Sequence, residues 1–428
     1  MAKRDKQRKH KFRKFRTLSF LMAAMLLVAG LGVGAAGAAE VNSFSATLLS
    51  DNLSREIGSM ARLTYGNVDE LLLGEVSRIL RYNTTTRGVS VLSDLRGPYG
   101  SYGKILGLIT NGNVISATPF AQGQGCRLET LTVDENGRII STGENNFEWS
   151  HSDHDRSDYG YAGISYRSGR QFLGYGSLKS RSDYPPWEEG QPMKGLVMEY
   201  GNPTVGAWDS WTNQLCIPAS VPHNTIGLLA QSFVALDDGR VLIGAASTNG
   251  KTYFPILESR AWDGPTPDNP DRRGPQRQGY WEFAKHPDGG NLNVGGHRKL
   301  VDPFVNNGLF NDYIFLVGDS NQVLFSHRSN PTHFLVARVF HNEGGNWAEQ
   351  AALPGNQAAM TIHMPTRLPV LACNGDAMHF YQVAFDEHSL PALYRVATAG
   401  PGGSWSVYAQ HYKDEAYFYT EGRLFQLK

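Results

Sequence analysis

Two stretches near the end of the chain share one pattern. Residues 334–347 read FLVARVFHNEGGNW, and residues 393–405 read LYRVATAGPGGSW. In each, a run rich in β-branched and aromatic residues, typical of a strand, leads to Gly-Gly-x-Trp. Two such similar units indicate an internal repeat. A repeat made of strands and turns favours a propeller over a sandwich.

Tryptophans extend this repeat toward the N-terminus. Five of the eight lie at positions 149, 208, 281, 347 and 405, at intervals of 59, 73, 66 and 58 residues. Trp187, Trp211 and Trp262 fall outside the series, so chance spacing is the alternative. A unit of about 60 residues fits a four-stranded propeller blade with long loops.

A hairpin pattern recurs alongside the tryptophans. A polar turn with Gly or Asn precedes a β-rich run, and Asn-Gly or Asp-Gly supplies the positive φ angles of two-residue turns. The copies are residues 135–140, 167–173, 237–243 and 421–425, with looser copies at 111–115, 319–324 and 374–378.

The predicted fold is all-β, a six-bladed β-propeller, with a seven-bladed β-propeller as the alternative. Six blades over residues 45–428 average 64 residues and seven average about 55, so six is closer to the tryptophan spacing. The strand after Gly422 is predicted to pair with strands from about residues 60–95, so that N- and C-terminal strands close the last blade. Residues 68–80 fit an amphipathic helix or a strand pair, and both stay open.

The Gly-Gly-x-Trp units resemble the Asp-box (BNR) repeats of the sialidase-like β-propeller superfamily. The family box reads Ser-x-Asp-x-Gly-x-x-Trp. The first unit keeps the Gly and Trp of the box as Gly344 and Trp347, and has Phe340 and Asn342 in place of Ser and Asp. The second keeps them as Gly402 and Trp405, and has Thr398 and Gly400 in place of Ser and Asp. The resemblance implies that the Gly forms the turn between the last two strands of a blade and that the Trp packs between strands. It bears on architecture rather than activity.

Charge is unevenly distributed, although 40 Lys and Arg balance 40 Asp and Glu. Residues 1–16 hold nine basic residues and one acid, and residues 18–39 carry no charge. This pattern predicts a signal peptide over residues 1–39 that ends in small residues, with an uncleaved membrane anchor as the alternative. Residues 40–428 then form a single β-propeller domain with 31 basic and 39 acidic residues, a formal charge of −8.

These features predict a secreted, periplasmic or cell-surface protein that meets a membrane only through an uncleaved N-terminal segment. Export and an acidic domain disfavour nucleic acid as a partner. The sequence has no P-loop, dinucleotide-binding or nucleophile-elbow motif. Cys126, Cys216 and Cys373 lack zinc-ligand spacing, and one disulfide with a leftover thiol or three free thiols both stay open.

The densest polar cluster covers residues 151–159, HSDHDRSDY. It supplies four candidate catalytic groups and two candidate substrate-binding groups: His151, Asp153, His154 and Asp155, then Arg156 and Tyr159. Its carboxylates suit a general acid with a base or nucleophile. The first two Asp share the spacing of a calcium loop whose terminal Glu is missing, so the prediction is no cofactor, with Ca²⁺ as the alternative. A solvated loop is the plainer interpretation.

Two further candidates lie in later loops. His223, in a Pro-His-Asn-Thr stretch, is faintly similar to the site of BNR-type polysaccharide lyases, which makes it a candidate base. Trp262 and Asp263 open a long polar loop that ends at Arg277, and they are candidates to stack on and hydrogen-bond a sugar. An ordinary turn and a surface excursion are the respective alternatives.

Sialidases bind the substrate carboxylate with three arginines, but the family's Arg-Ile-Pro motif is absent from this sequence, so the triad is not carried over. Arg367 and Arg395 are candidate substrate-binding residues, beside Arg96 and Arg167, and nothing in their spacing selects three. Residues 295–298 and 363–367 are further polar groups that could line the central channel, with solvated turns as the alternative.

Two hypotheses for function follow. The first is an exported sialidase-like propeller that acts on or binds carbohydrate, with a glycoside hydrolase or polysaccharide lyase type of site in its central funnel. The alternative is a non-catalytic extracellular propeller that binds a glycan or another cell-surface ligand. An enzyme should bring acids, an Arg and a His or Tyr together in one funnel, whereas scattered placement indicates binding. The sequence leaves catalysis and oligomeric state open.

Overall fold

Strands form the regular structure in the computed structural model. It describes residues 41–95, 105–121, 125–126, 128–145, 160–165, 170–175, 192–199, 210–216, 229–238, 241–246, 253–257, 279–283, 298–318 and 320–428. The chain divides into two units, Met1–Glu40 and Val41–Lys428, and the first lies outside these ranges. A search of the described ranges for an apolar helix of membrane-spanning length finds none.

The described strands group into seven sheets. We call the sheet that joins both ends of the domain the closing sheet and number the others 1 to 6 in chain order. The closing sheet begins with β1 (Ala46–Ser50). Sheet 1 holds β2 (Ser59–Tyr65), β3 (Val68–Gly74), β4 (Arg78–Tyr82) and β5 (Val89–Asp94); sheet 2 holds β6 (Ile105–Asn111), β7 (Val114–Ala121), β8 (Gly125–Cys126), β9 (Leu128–Val133) and β10 (Ile139–Asn145).

The remaining strands follow in the same order along the chain. Sheet 3 holds β11 (Gly160–Ser165), β12 (Arg170–Tyr175), β13 (Pro192–Glu199) and β14 (Ser210–Cys216); sheet 4 holds β15 (Leu229–Ala235), β16 (Val241–Ala246), β17 (Tyr253–Leu257) and β18 (Gly279–Phe283). Sheet 5 holds β19 (Arg298–Val301), β20 (Tyr313–Gly318), β21 (Leu324–His327) and β22 (Leu335–Val336). Sheet 6 holds β23 (Val339–Glu343), β24 (Asn346–Gln350), β25 (Ala358–His363), β26 (Leu368–Cys373), β27 (Ala377–Phe385) and β28 (Pro391–Pro401), and the closing sheet is completed by β29 (Tyr408–Tyr412), β30 (Glu415–Thr420) and β31 (Arg423–Leu427).

Contacts between neighbouring sheets close a ring. Strand β2 contacts β6, β6 contacts β11, β11 contacts β15 and β15 contacts β19. Then β20 contacts β25, β25 contacts β29, and β29 contacts β2. Because this series returns to its starting strand, the sheets form a closed β-propeller, as the sequence predicted. In the closing sheet, β1 pairs antiparallel with β31, which confirms that N- and C-terminal strands share one blade.

The described residues hold seven sheets, the alternative number, and not six. The tryptophan spacing predicted one blade too few because residues 41–148 contain no tryptophan. Residues 60–95 form sheet 1 by themselves, so they were the wrong partner for the terminal strand. Residues 68–80 form β3 and the start of β4, a strand pair, since their leucines face the buried sides of a sheet.

The predicted hairpins are confirmed where the structure describes the whole turn as well as both strands. The copies at residues 111–115, 135–140, 374–378 and 421–425 each lie at the turn between two antiparallel strands. Gly112, Gly137 and Gly422 adopt φ angles of 55°, 74° and 82° there. A residue with a side chain is strained at such angles, which explains the recurrent glycine.

The two Gly-Gly-x-Trp units occupy different places in the fold. Gly344 and Gly345 form the turn between β23 and β24, where the Asn342 side-chain oxygen accepts a 2.9 Å hydrogen bond from the Gly345 amide. The second unit instead links sheet 6 to the closing sheet. Trp347 is 38% exposed and Trp405 56% exposed. The expectation that both tryptophans pack between strands was therefore wrong.

Apolar side chains fill the space between neighbouring sheets. Leu63 and Leu72 of sheet 1 pack in one cluster with Ile115 and Leu131 of sheet 2. Equivalent clusters join sheet 4 to sheet 5, sheet 5 to sheet 6, sheet 6 to the closing sheet and the closing sheet to sheet 1. The closing sheet and sheets 1, 5 and 6 are thus each stabilised by burying apolar surface against both neighbours, which for sheet 5 are sheets 4 and 6, so these sheets depend on one another.

Sheet 6 is widened by the β23–β24 hairpin, whose strand β23 pairs parallel with β28. Arg338 fastens this hairpin: its guanidinium lies 2.7 Å from Glu349 Oε2, 3.2 Å from Asp386 Oδ2 and 2.5 Å from Glu387 Oε1. These hydrogen bonds raise the pKa of Arg338 and lower the pKa values of Glu349 and Glu387.

The closure yields a prediction about chain length. A chain that begins at Asp51 lacks β1 and its ladder with β31, and we expect it to be less stable than a chain that begins at Val41. The loss of several backbone hydrogen bonds and of buried Leu49 should lower the free energy of unfolding by about 5 kcal/mol. Urea unfolding curves of the two chains measure this. Equal midpoints would contradict the role of β1.

Candidate functional site

Most of the candidate site residues lie outside the described residues. These are His151, Asp153, His154, Asp155, Arg156, Tyr159, His223, Trp262 and Asp263. They stay predictions, and so does the Ca²⁺ alternative that rests on Asp153 and Asp155. Within the described ranges, no group of three His, Cys, Asp or Glu side chains is arranged to hold a metal ion.

Arg367 and Arg395 occupy different elements of sheet 6. Arg367 is exposed in the turn between β25 and β26 with a φ of 58°, and its amide donates a 2.8 Å hydrogen bond to the His363 carbonyl. Arg395 lies on β28 opposite Tyr381. Burial raises the pKa of Cys373 to about 12, and the charge of Arg395 offsets this in part. Arg395 thus lies beside a buried, unreactive thiol.

His363 is a core residue at the end of β25. Its side chain is buried, its Nδ1 lies 2.9 Å from Thr366 Oγ1, and its ring meets Phe44 edge-on at 4.8 Å. Burial lowers the pKa of this imidazole. His363 therefore packs against the segment that precedes β1, and its ring holds that segment in place.

A pocket of about 580 Å³ opens where sheet 5, sheet 6 and the closing sheet meet. Four turns or connections supply its lining: Ser320 and Asn321 after β20; Leu353, Pro354, Gly355 and Asn356 before β25; Asn374, Gly375 and Asp376 after β26; Gly403 and Ser404 before β29. The polar side chains of this lining are the amides of three Asn, the hydroxyls of two Ser and the carboxylate of Asp376, which is its one ionisable side chain.

Close backbone contacts hold the pocket in shape. A Cβ on Gly355 would lie 1.3 Å from the Asn374 carbonyl oxygen, and one on Gly402 would lie 2.0 Å from the Gly375 oxygen. The Leu353 amide also donates a 2.8 Å hydrogen bond to the Asn321 carbonyl. Because only glycine permits the two close approaches, and the hydrogen bond adds the remaining link, the four segments are locked together before any ligand binds.

Asp376 presents a fixed carboxylate at the pocket. Its side chain is 88% exposed, and its Oδ1 lies 2.9 Å from Nε2 of the buried His379. His379 Nδ1 lies 3.4 Å from Thr398 Oγ1, so both ring nitrogens have a partner. The hydrogen bond from His379, with a second one from the Ala377 amide, lowers the pKa of Asp376. The group is thus an oriented anion at neutral pH.

Trp405 stands beside the pocket, directly after the lining residue Ser404. Its amide donates a 3.1 Å hydrogen bond to Glu421 Oε1, and its carbonyl accepts one from the buried Asn374 side chain. The other Glu421 oxygen lies 2.8 Å from Arg423 Nη2. The backbone of Trp405 is therefore anchored on both sides, and the residue is 56% exposed.

A second polar group joins sheet 1 to the closing sheet. Arg62 Nε lies 3.1 Å from Asp69 Oδ1, and the Tyr412 hydroxyl donates a 2.5 Å hydrogen bond to the Asp69 carbonyl. Burial, assisted by the charge of Arg62, lowers the pKa of the adjacent His411 to about 4. Acid, Arg, His and Tyr thus meet here. However, the Arg and the acid neutralise each other and the His is neutral, so the group ties strands together.

Comparisons with known proteins complete this description. The chain matches no family model and no curated protein. Among solved structures it is similar to the Dos1 propeller, at a TM-score of 0.47 and 10% identity over 87% of this chain and 77% of that one. It is also similar to U3-55K, at a TM-score of 0.47 and 10% identity over 89% and 98%. At this identity neither likeness informs on function.

Sequence reasoning missed the groups that the structure brings together. The sequence pattern placed Asp376 only in a loose hairpin copy, and it assigned Trp405 only a structural role in the repeat. The available signal was Asp376 three residues before His379, at a turn that leads into a strand. The convergence of this turn with residues 353–356 depends on tertiary packing.

The glycine contacts predict an asymmetry between two neighbouring substitutions. Gly355→Ala should lower the free energy of unfolding by about 3 kcal/mol, because its Cβ would overlap the Asn374 carbonyl. Gly375→Ala is the matched control, since the nearest atom to its Cβ would be 3.5 Å away. Denaturant unfolding of both variants tests this, and similar midpoints would count against the packing described.

The half-buried imidazole of His411 predicts a pH dependence. Its pKa of about 4 in the fold lies below the ordinary value of 6.5, so the unfolded chain takes up the proton first. The contribution of His411 to stability is complete above pH 6.5 and declines as the pH falls toward 4, by up to about 3 kcal/mol.

His411→Gln should therefore show a smaller loss of stability between pH 7 and pH 4.5 than the parent protein. Urea unfolding at the two pH values measures the difference. His363, whose pKa is also lowered, contributes equally to both proteins and so cancels. Parallel losses in parent and variant would refute the assignment.

Proposed function

We propose that this chain is an exported, seven-bladed β-propeller that binds carbohydrate at the pocket between sheet 5, sheet 6 and the closing sheet, without catalysis there. The observation that carries the proposal is a preformed pocket lined by amide, hydroxyl and carboxylate groups, with the exposed Trp405 directly after the lining residue Ser404 in the chain. Export rests on the basic and apolar residues 1–39.

The chemistry of the pocket suits a sugar. Asn321, Asn356, Asp376 and Ser404 are exposed and offer donors and acceptors that can pair with hydroxyl groups. An aromatic ring at the edge provides an apolar face for the C–H surface of a pyranose. Since the backbone is locked by Gly355 and Gly402, little ordering accompanies binding.

Binding without turnover is favoured by how the carboxylates are used. Glycoside hydrolysis needs two carboxyl groups about 5 to 10 Å apart, one of them able to carry a proton. Asp376 is the carboxylate of the lining, and its lowered pKa keeps it ionised. Glu421, the nearby acid, accepts hydrogen bonds from the Ser404 and Trp405 amides, which also lower its pKa. Neither group suits a proton donor.

Trp405→Ala tests the site. If the ring stacks on a sugar, the variant should bind at least tenfold more weakly, about 1.4 kcal/mol. Trp347→Ala is the control, because Trp347 is also exposed but lies on β24 and is not next to a lining residue, whereas Trp405 directly follows Ser404. Titration calorimetry with oligomers of N-acetylglucosamine, glucosamine, glucose and galacturonic acid provides the readout. Unchanged affinity of the Trp405 variant would contradict the proposal that this pocket binds the sugar.

The same incubations separate binding from catalysis. New reducing ends, or the absorbance of unsaturated uronates, would support the enzyme hypothesis with its site in the central funnel. Binding with no product from any oligomer supports the proposal.

A further inference from the structure

The lining of the pocket carries a negative charge. Ten of its eleven lining residues are uncharged, and the eleventh is Asp376. No Lys or Arg is among them. A ligand in this pocket therefore meets one fixed negative charge and no positive group in the lining.

That negative charge is held in place and is accessible. The buried His379 fixes one oxygen of Asp376 at 2.9 Å, and the Gly402 amide donates a 3.2 Å hydrogen bond to the Asp376 carbonyl. The side chain nevertheless remains 88% exposed. An exposed carboxylate that cannot swing freely is suited to pair with a specific group of a ligand rather than with bulk cations.

Groups around the pocket reinforce the same preference. The Glu421 carboxyl lies about 3 Å from the position of a Cβ on Gly403, although Arg423 neutralises part of its charge. The exposed ring of Trp405 adds a π face, and indole is the side chain that attracts cations most strongly. A carboxylate together with an exposed indole is the combination that recognises an ammonium group.

We propose that the pocket takes amine-bearing sugars, such as protonated glucosamine units, in preference to acidic sugars. This inference rests on the proposed carbohydrate binding and deepens it by naming the class of sugar. It departs from the substrate preference of sialidases, because an arginine triad would select a carboxylate whereas this lining opposes one. The amine pairs with Asp376 while the sugar ring lies on Trp405.

The test compares three oligosaccharides of equal length by titration calorimetry of the full chain at pH 6. These are hexamers of glucosamine, N-acetylglucosamine and galacturonic acid, which carry positive, zero and negative charge. We expect the glucosamine hexamer to bind at least tenfold more tightly than the galacturonate hexamer. Asp376→Asn should weaken glucosamine binding at least fivefold and leave N-acetylglucosamine binding within twofold of the parent protein.

A second variant controls for the net negative charge of the protein. Asp312→Asn makes the same change of charge at an exposed residue outside the pocket lining, between β19 and β20, and should leave all three affinities unchanged. Equal weakening by both variants would show that general attraction to an acidic protein explains the result, and would overturn the inference.

The outcomes distinguish this inference from the function on which it rests. If N-acetylglucosamine or galacturonate hexamers bind as tightly as glucosamine hexamers, in a manner that depends on Trp405, the charge preference fails and carbohydrate binding stands. If none of the hexamers binds, the proposed function itself fails.

Discussion

Ser45 and Lys428 exchange two backbone hydrogen bonds of 3.0 Å, and from that point β1 runs antiparallel to β31. This pairing is the constraint on which the remaining structure depends. The closing sheet buries apolar surface against sheet 6 on one side and sheet 1 on the other, so an open ring would leave each of those two sheets with one bare face. The β1–β31 ladder completes the sheet that packs against both sheet 6 and sheet 1. The pocket at the edge of the closing sheet requires the same closure.

The type of fold could be predicted from the sequence, but the number of sheets was predicted less well. Strand-forming runs and turns such as Asn136-Gly137 depend on local chemistry, so the hairpins could be placed residue by residue. The predicted number of blades depended on the spacing of tryptophans. These tryptophans do not occupy equivalent positions in successive sheets, because Trp347 lies on an outer hairpin and Trp405 lies in a connection. Sheet 1 contains no tryptophan, so the prediction assigned it to the blade that closes the ring instead of counting it as a blade of its own.

The site was less predictable, for a physical reason. Sequence reasoning favours dense polar clusters, such as residues 151–159, because chemistry often concentrates there. In the part of the chain that the structure describes, the pocket instead assembles two to four residues from each of four connections, which are spread over residues 320–404. Its shape depends on glycines such as Gly355 and Gly402, whose importance lies in the missing Cβ and its distance from another backbone. Such distances are set by packing between sheets and leave no local pattern.

The pairing of Ala46 with Leu427 also constrains the order of biosynthesis, since about 380 residues separate the two partners. A growing chain makes β1 long before β31. Until β31 has been synthesised, β1 carries backbone groups whose partner does not yet exist, and contacts of such long range form late. The ladder that closes the ring therefore forms only after β31 is present. A chain cut before Arg423 lacks the strand that pairs with β1 and cannot close the ring in this way.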